Sequence, residues 1–178
     1  MSAIPARQPF TGSPDAAAED AFAFALQFCH TMMADGEDPV TALRQNDCRA
    51  HEYLRYGLAC RLAEHLGAAD LTVRSVYVYD WGDQPDEMEA APVGLTSPIR
   101  LLIRVSHKTA ALDSLLGAYD AALAPRYRAL VAPAADRLRT LLLARAVDDQ
   151  EICCREGYGA LITSVRERPI QVWSRQTS

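Results

Sequence analysis

The sequence predicts an α+β domain: a four-stranded, mainly antiparallel sheet of two hairpins, packed by N-terminal helices and a long kinked central helical region. Three observations carry this. Helix starts and apolar helical spacing fill residues 13–67. Two runs rich in valine, isoleucine and tyrosine, Leu71–Tyr79 and Ile99–Val105, follow with period-two patterning. A helical period resumes at Leu112, and two further strand-like runs close the chain.

Residues 1–12 carry Pro5, Pro9 and Gly12 and read as an irregular N-terminal arm; residues 13–178 read as a single domain. Ser13-Pro14-Asp15 is a helix start: a capping hydroxyl, proline at the first helical position, then an acid at the positive end of the helix dipole. That helix should run to about Ala34 and stop near Gly36. Its centre, Ala21 to Cys29, is apolar nearly all round, which calls for burial within the chain or in a subunit interface. Asp38-Pro39 repeats the start signal for a short helix over Pro39–Gln45. Asp47 caps a third helix to about Leu66, with Gly67 as its stop. Its apolar stripe is Ala50, Tyr53, Leu54, Gly57, Leu58, Leu62 and Leu66, and His51, Arg55, Arg61 and Glu64 fall off the centre of that stripe.

Leu71–Tyr79 carries apolar residues on both faces and reads as a central strand. The acidic loop Asp80–Gly94 separates it from its hairpin partner, Ile99–Val105. From Lys108 the spacing predicts helix to about Asp148, broken or kinked at Pro125 and Pro133. Tyr158–Val165 and Ile170–Ser174 form the second predicted hairpin, turning at Arg166–Pro169.

Charge bounds the function. The net charge of -5 argues against non-specific nucleic-acid binding. Acids dominate residues 13–47 and bases dominate residues 100–145, so the two regions complement each other within the fold or across a dimer, or the basic region meets an anionic partner. No export-signal pattern and no apolar run long enough to span a bilayer is present, which places the protein in the cytoplasm and away from membranes. In that compartment the five cysteines read as free thiols.

Three groups of residues carry candidate chemistry. Ser106, His107, Lys108 and Thr109, with Arg104 just before them, sit where a strand should run into a helix, and a helix start with hydroxyls and bases suits a small anionic ligand. Lys108 is the only lysine in the chain. Tyr77, Tyr79 and Trp81 share one strand face at period two and form an aromatic row that can pack against a helix or stack a planar ligand. Cys153 and Cys154 are adjacent candidate redox thiols. Cys48 and His51 lie one turn apart but lack the further paired ligands of a zinc site, and the acidic loop lacks a calcium-loop pattern, so no metal and no cofactor is expected. No nucleophile elbow, phosphate loop or zinc-protease motif occurs.

The expectation is a non-catalytic protein acting through protein contacts as a homodimer. The competing expectation is a small-ligand-binding domain or enzyme using the anion site at Ser106–Thr109.

Overall fold

Ser13, Asp38 and Asp47 start the first three helices as their residue types dictate. In the computed structural model, which describes residues 12–33, 37–79, 98–131, 138–164 and 168–176, each side chain accepts a hydrogen bond from the backbone three residues on. The helices are α1 (Pro14–Met32), α2 (Pro39–Arg44) and α3 (Cys48–Ala69). Ala34, Gly36, the N-terminal arm to residue 11, the loop from Asp80 to Ser97 and Pro133 lie outside the described residues.

Helices α1 and α3 cross closely because small residues meet at the crossing. A Cβ placed on Gly57 would lie 2.9 Å from the Ala25 Cα. Ala17, Ala18, Ala21, Phe22, Ala25 and Cys29 of α1 are buried, while Ala23 and Gln27 are exposed. Part of the charge split is satisfied inside the chain, since Arg126 reaches Asp15 at 3.1 Å; Asp20 of α1 also binds Arg61 and His65 of α3.

Two expectations for α3 are corrected. Gly67 does not stop the helix, which continues to Ala69. Its missing side chain makes room for the Trp173 ring, whose nearest atom would sit 2.1 Å from a Cβ there. Nor do His51 and Arg55 fall outside the buried stripe: they are 1% and 8% exposed. The His51 ring lies 3.0 Å from the Leu43 carbonyl and 3.2 Å from the Tyr127 hydroxyl. The carbonyl can only accept, so His51 Nε2 carries the proton and Nδ1 accepts from Tyr127. Arg55 donates to the Pro98 carbonyl at 2.9 Å.

The remaining elements are β1 (Val73–Val78), β2 (Ile99–Val105), α4 (Ala110–Val131), β3 (Leu142–Asp148), α5 (Asp149–Cys154), α6 (Gly159–Ile162) and β4 (Ile170–Ser174). The sheet order is β3-β2-β1-β4, so β1 is central, as its apolar faces require. β1 pairs antiparallel with both β2 and β4, and β2 pairs parallel with β3. The sheet is therefore mixed, and only the first predicted hairpin exists.

The second predicted hairpin is replaced by two short helices. Asp148 and Glu151 form a capping box that starts α5, Arg155 ends it in a left-handed conformation, and Gly159–Ile162 is helical where a strand was expected. β3 and β4 then lie at opposite edges of the sheet. The long central helix is likewise corrected. α4 runs unbroken through Pro125, because Pro125 and Ala121, whose carbonyl loses its partner, both face solvent. Leu142–Asp148, expected as helix, runs as strand beside β2. Its start is tied to α4 by Asp120, whose carboxylate accepts from the Leu141 and Leu142 amides, each at 2.8 Å.

One face of the sheet carries Val76, Val78, Ile99, Leu101, Ile103 and Leu142 into the main core formed with α1, α3 and α4. Leu102 and Val147 are buried as well but lie on the other face, where α5 and α6 return across the sheet. Among the described residues no helix is long and apolar enough to cross a membrane.

Candidate functional site

The strand register places basic and aromatic side chains together on this second face. Three rows cross it. Tyr79 donates its amide to the Arg100 carbonyl at 3.2 Å, and Arg100 lies beside Leu143. Tyr77 pairs with Leu102, which lies beside Arg145. Ser75 pairs with Arg104, which lies beside Val147. Neighbouring strands are about 4.8 Å apart and residues rise about 3.3 Å along each, so Arg145 springs from the backbone roughly 8 Å from Arg100 and from Arg104.

Tyr158, in the turn between α5 and α6, closes over this face. Its ring meets Tyr79 edge-on at 5.9 Å, and the Arg145 guanidinium lies 5.9 Å from its centroid. Tyr158 remains 42% exposed. Burial, followed by the proximity of Tyr158, raises the Tyr79 hydroxyl above its ordinary pKa, and Tyr79 is a neutral phenol at physiological pH. Below it, the Ser75 hydroxyl donates to the Tyr77 oxygen at 3.1 Å.

The carboxylates on this face come from α5. Asp149 binds Arg104 at 2.7 Å and Glu151 binds Lys108 at 2.7 Å. Arg104 is 42% and Lys108 46% exposed, so each pair contributes at most about 1 kcal/mol and exchanges readily for another anion.

The expected anion site is thus divided. Arg104 and Lys108 reach the face or its rim, each engaged with an α5 carboxylate. Ser106 and His107 bond each other side by side at 3.1 Å. Thr109 is the residue that caps α4, accepting from the Leu112 amide at 3.1 Å, so the helix starts two residues later than Lys108. Tyr77 and Tyr79 share the face as expected; Trp81 lies outside the described residues. Cys153 and Cys154 are exposed free thiols in the last turn of α5, not on a strand, and successive helical positions point about 100° apart.

Arg145 and Tyr158 escape the sequence pattern, which predicts helix around the first and strand around the second, whereas they lie on β3 and in the turn before α6. The signal that would have found them is the Asp148-x-x-Glu151 box: it ends a strand, starts a helix and turns Tyr158 back over the sheet. Among the described residues no group of three or more His, Cys, Asp or Glu side chains converges for a metal ion.

Comparison with protein families, with curated proteins and with solved structures returned no match.

Proposed function

We propose that this chain binds a small ligand joining an anionic group to a planar ring, held on the second face of the sheet. The parallel pairing of β2 with β3 carries the reading, since it sets Arg145 between Arg100 and Arg104 and beside the tyrosines. Guanidinium groups suit phosphate and carboxylate oxygens, with which they form paired hydrogen bonds. The part-exposed Tyr158 ring, with Tyr79 against it, offers stacking area. An incoming anion would displace Asp149 from Arg104, exchanging one exposed ion pair for another at little cost. Binding of this kind needs no catalytic group. A cytoplasmic setting belongs to the same reading, which the free thiols favour.

A thermal-shift panel of inorganic phosphate, benzoate, phenyl phosphate and nucleoside monophosphates tests it, because a ligand that binds only the folded chain raises its melting temperature. Ring-bearing phosphates should stabilise more than phosphate alone, and Arg145→Ala should remove most of the shift. A panel without any shift, or shifts equal in the parent and Arg145→Ala, overturns the reading.

A second reading, a homodimer acting through protein contacts, has one specific support. β4 is an edge strand without a charged residue, and Ile170 on it is 48% exposed. Such edges pair with another chain. Two copies of β4 joined antiparallel would extend the sheet. Sedimentation equilibrium of the parent against Ile170→Lys decides it: the charge should weaken association at least tenfold, and a parent that stays monomeric ends the reading.

A further inference from the structure

The cations of the second sheet face stand in sequence along β2. Row by row they run from Arg100 beside Tyr79, through Arg145 beside Leu102, to Arg104, and Lys108 lies past the end of the strand. At about 3.3 Å per residue, the strand covers about 13 Å from Arg100 to Arg104. The stacking rings gather toward the first end. Arg100 and Arg145 both act on the Tyr79 hydroxyl, and the Tyr158 ring lies against Tyr79 and Arg145. At the other end the chain itself shows where anions are held. Asp149 binds Arg104 and Glu151 binds Lys108, each at 2.7 Å, so two separate cations take two separate carboxylates. These occupants are loosely placed. No residue of α5 is buried, and the Asp149 and Glu151 side chains are 56% and 30% exposed. Glu151 also accepts from the Asp148 amide, a bond it can keep while it leaves Lys108.

We propose that the ligand of this face is a ring-bearing diphosphate, of the class of a nucleoside diphosphate, whose phosphates take the places that Asp149 and Glu151 hold on Arg104 and Lys108. The inference rests on the ring-and-anion reading above and goes beyond it by fixing the number and order of the anionic groups. With the ring on Tyr158, the first phosphate falls between Arg145 and Arg104, and the second falls beyond Arg104 toward Lys108. A monophosphate fills the first place only. Each phosphate offers several oxygens to a guanidinium fork, and the terminal one carries more charge than the carboxylate it displaces. Asp149 and Glu151 are then built-in competitors that keep Arg104 and Lys108 paired until the ligand arrives.

Calorimetric titration of the full chain with adenosine monophosphate and adenosine diphosphate, in buffer without divalent metal, tests this. The diphosphate should bind about tenfold tighter than the monophosphate, the gain from two further exposed ion pairs. Lys108→Ala should weaken the diphosphate about fivefold and leave the monophosphate within about twofold. Asp149→Asn/Glu151→Gln keeps the oxygen that completes the α5 capping box, so circular dichroism should not change. It should tighten the diphosphate severalfold and the monophosphate by a smaller factor. A diphosphate that binds no tighter than the monophosphate, a Lys108→Ala chain that loses both alike, or equal tightening of both by the carboxylate variant overturns the inference and leaves the ring-and-anion reading standing. Absence of binding by both nucleotides overturns it as well, and the reading itself falls only if phenyl phosphate and benzoate also fail.

Discussion

His51 shows how one side chain can both lock a fold and make it sensitive to acid. Its ring joins α2, through the Leu43 carbonyl, to α4, through the Tyr127 hydroxyl, and the Nδ1 lone pair that accepts from Tyr127 exists only in the neutral imidazole. Burial holds its pKa below the usual value against the opposing pull of the Leu43 carbonyl, and Arg55 on the same helix disfavours a second positive charge more than Asp47 favours it. His65 is also held low by burial, against the pull of Asp20, whose charge is shared with Arg61. Both folded pKa values lie below the unfolded one, so the unfolded chain takes up protons first as pH falls. The contribution of the neutral histidines is complete above about pH 6.5 and is lost as pH drops through that value toward the folded ones. Melting temperature should therefore fall between about pH 7.5 and pH 5, by about 2–4 °C for each kcal/mol lost. A His51→Gln/His65→Gln variant should show a flatter profile from a lower starting point. A parent profile that is flat over this range would show that neither histidine is held neutral.

Helix α3 and strand β4 meet at a contact that depends on an absent side chain. Trp173 fills the space over Gly67, and Arg175 stacks 5.5 Å from the Trp173 centroid while donating to the Gly67 carbonyl at 2.6 Å, the Asp70 carbonyl at 3.1 Å and the Val73 carbonyl at 3.1 Å. One guanidinium thus closes the end of α3 and fastens β4 to it. Gly67→Ala should destabilise by about 1–3 kcal/mol through overpacking. Gly117→Ala on α4, where a new Cβ meets nothing within 4 Å, should stabilise by up to about 1 kcal/mol. Urea unfolding of the two variants gives both signs, and a Gly67→Ala chain as stable as the parent would refute the packing argument. The same contact shows what could be read in advance. Ser13-Pro14, Asp38-Pro39 and Asp47 announce their helices because a cap is a local interaction. β2 and β4 occupy the residues their patterns predicted, Ile99–Val105 and Ile170–Ser174. Gly67 reads as a stop because nothing nearby in sequence mentions a ring 106 positions later. Leu138, Leu141 and Leu142 fit a helix over a short window, and only the open edge of β2 makes the run from Leu142 onward a strand. The candidate face was half legible for the same reason. Tyr77, Tyr79 and Arg104 follow from strand period, whereas Arg145 and Tyr158 depend on which strand pairs with which.

For the whole molecule, the order β3-β2-β1-β4 makes the last strand a closing piece. β1, β2, α4 and β3 form a continuous stretch of chain whose parallel pair is bridged by α4, but β1 is left with an open edge until β4 arrives from beyond α6. β4 is short, its register with β1 shifts between Val76 and Tyr77, and Ile170, Gln171 and Ser174 are exposed. Its attachment rests on Trp173 and Arg175 more than on strand burial, so it is the element where local opening should begin. Trp173 reports on this directly. With Trp81 replaced by phenylalanine it is the sole tryptophan, since the chain has two. Release of β4 moves its ring from the Gly67 surface into water and shifts its emission to the red. In urea, that emission should change at a lower concentration than the far-ultraviolet helix signal, and Arg175→Ala should widen the gap by removing the carbonyl contacts that hold the strand. Coincident transitions in the parent would instead make β4 part of a single cooperative unit. In that case a chain ending at Ser164 should not fold, because an unpaired β1 edge and an uncovered α3 end would leave buried backbone groups and the Gly67 surface open to water.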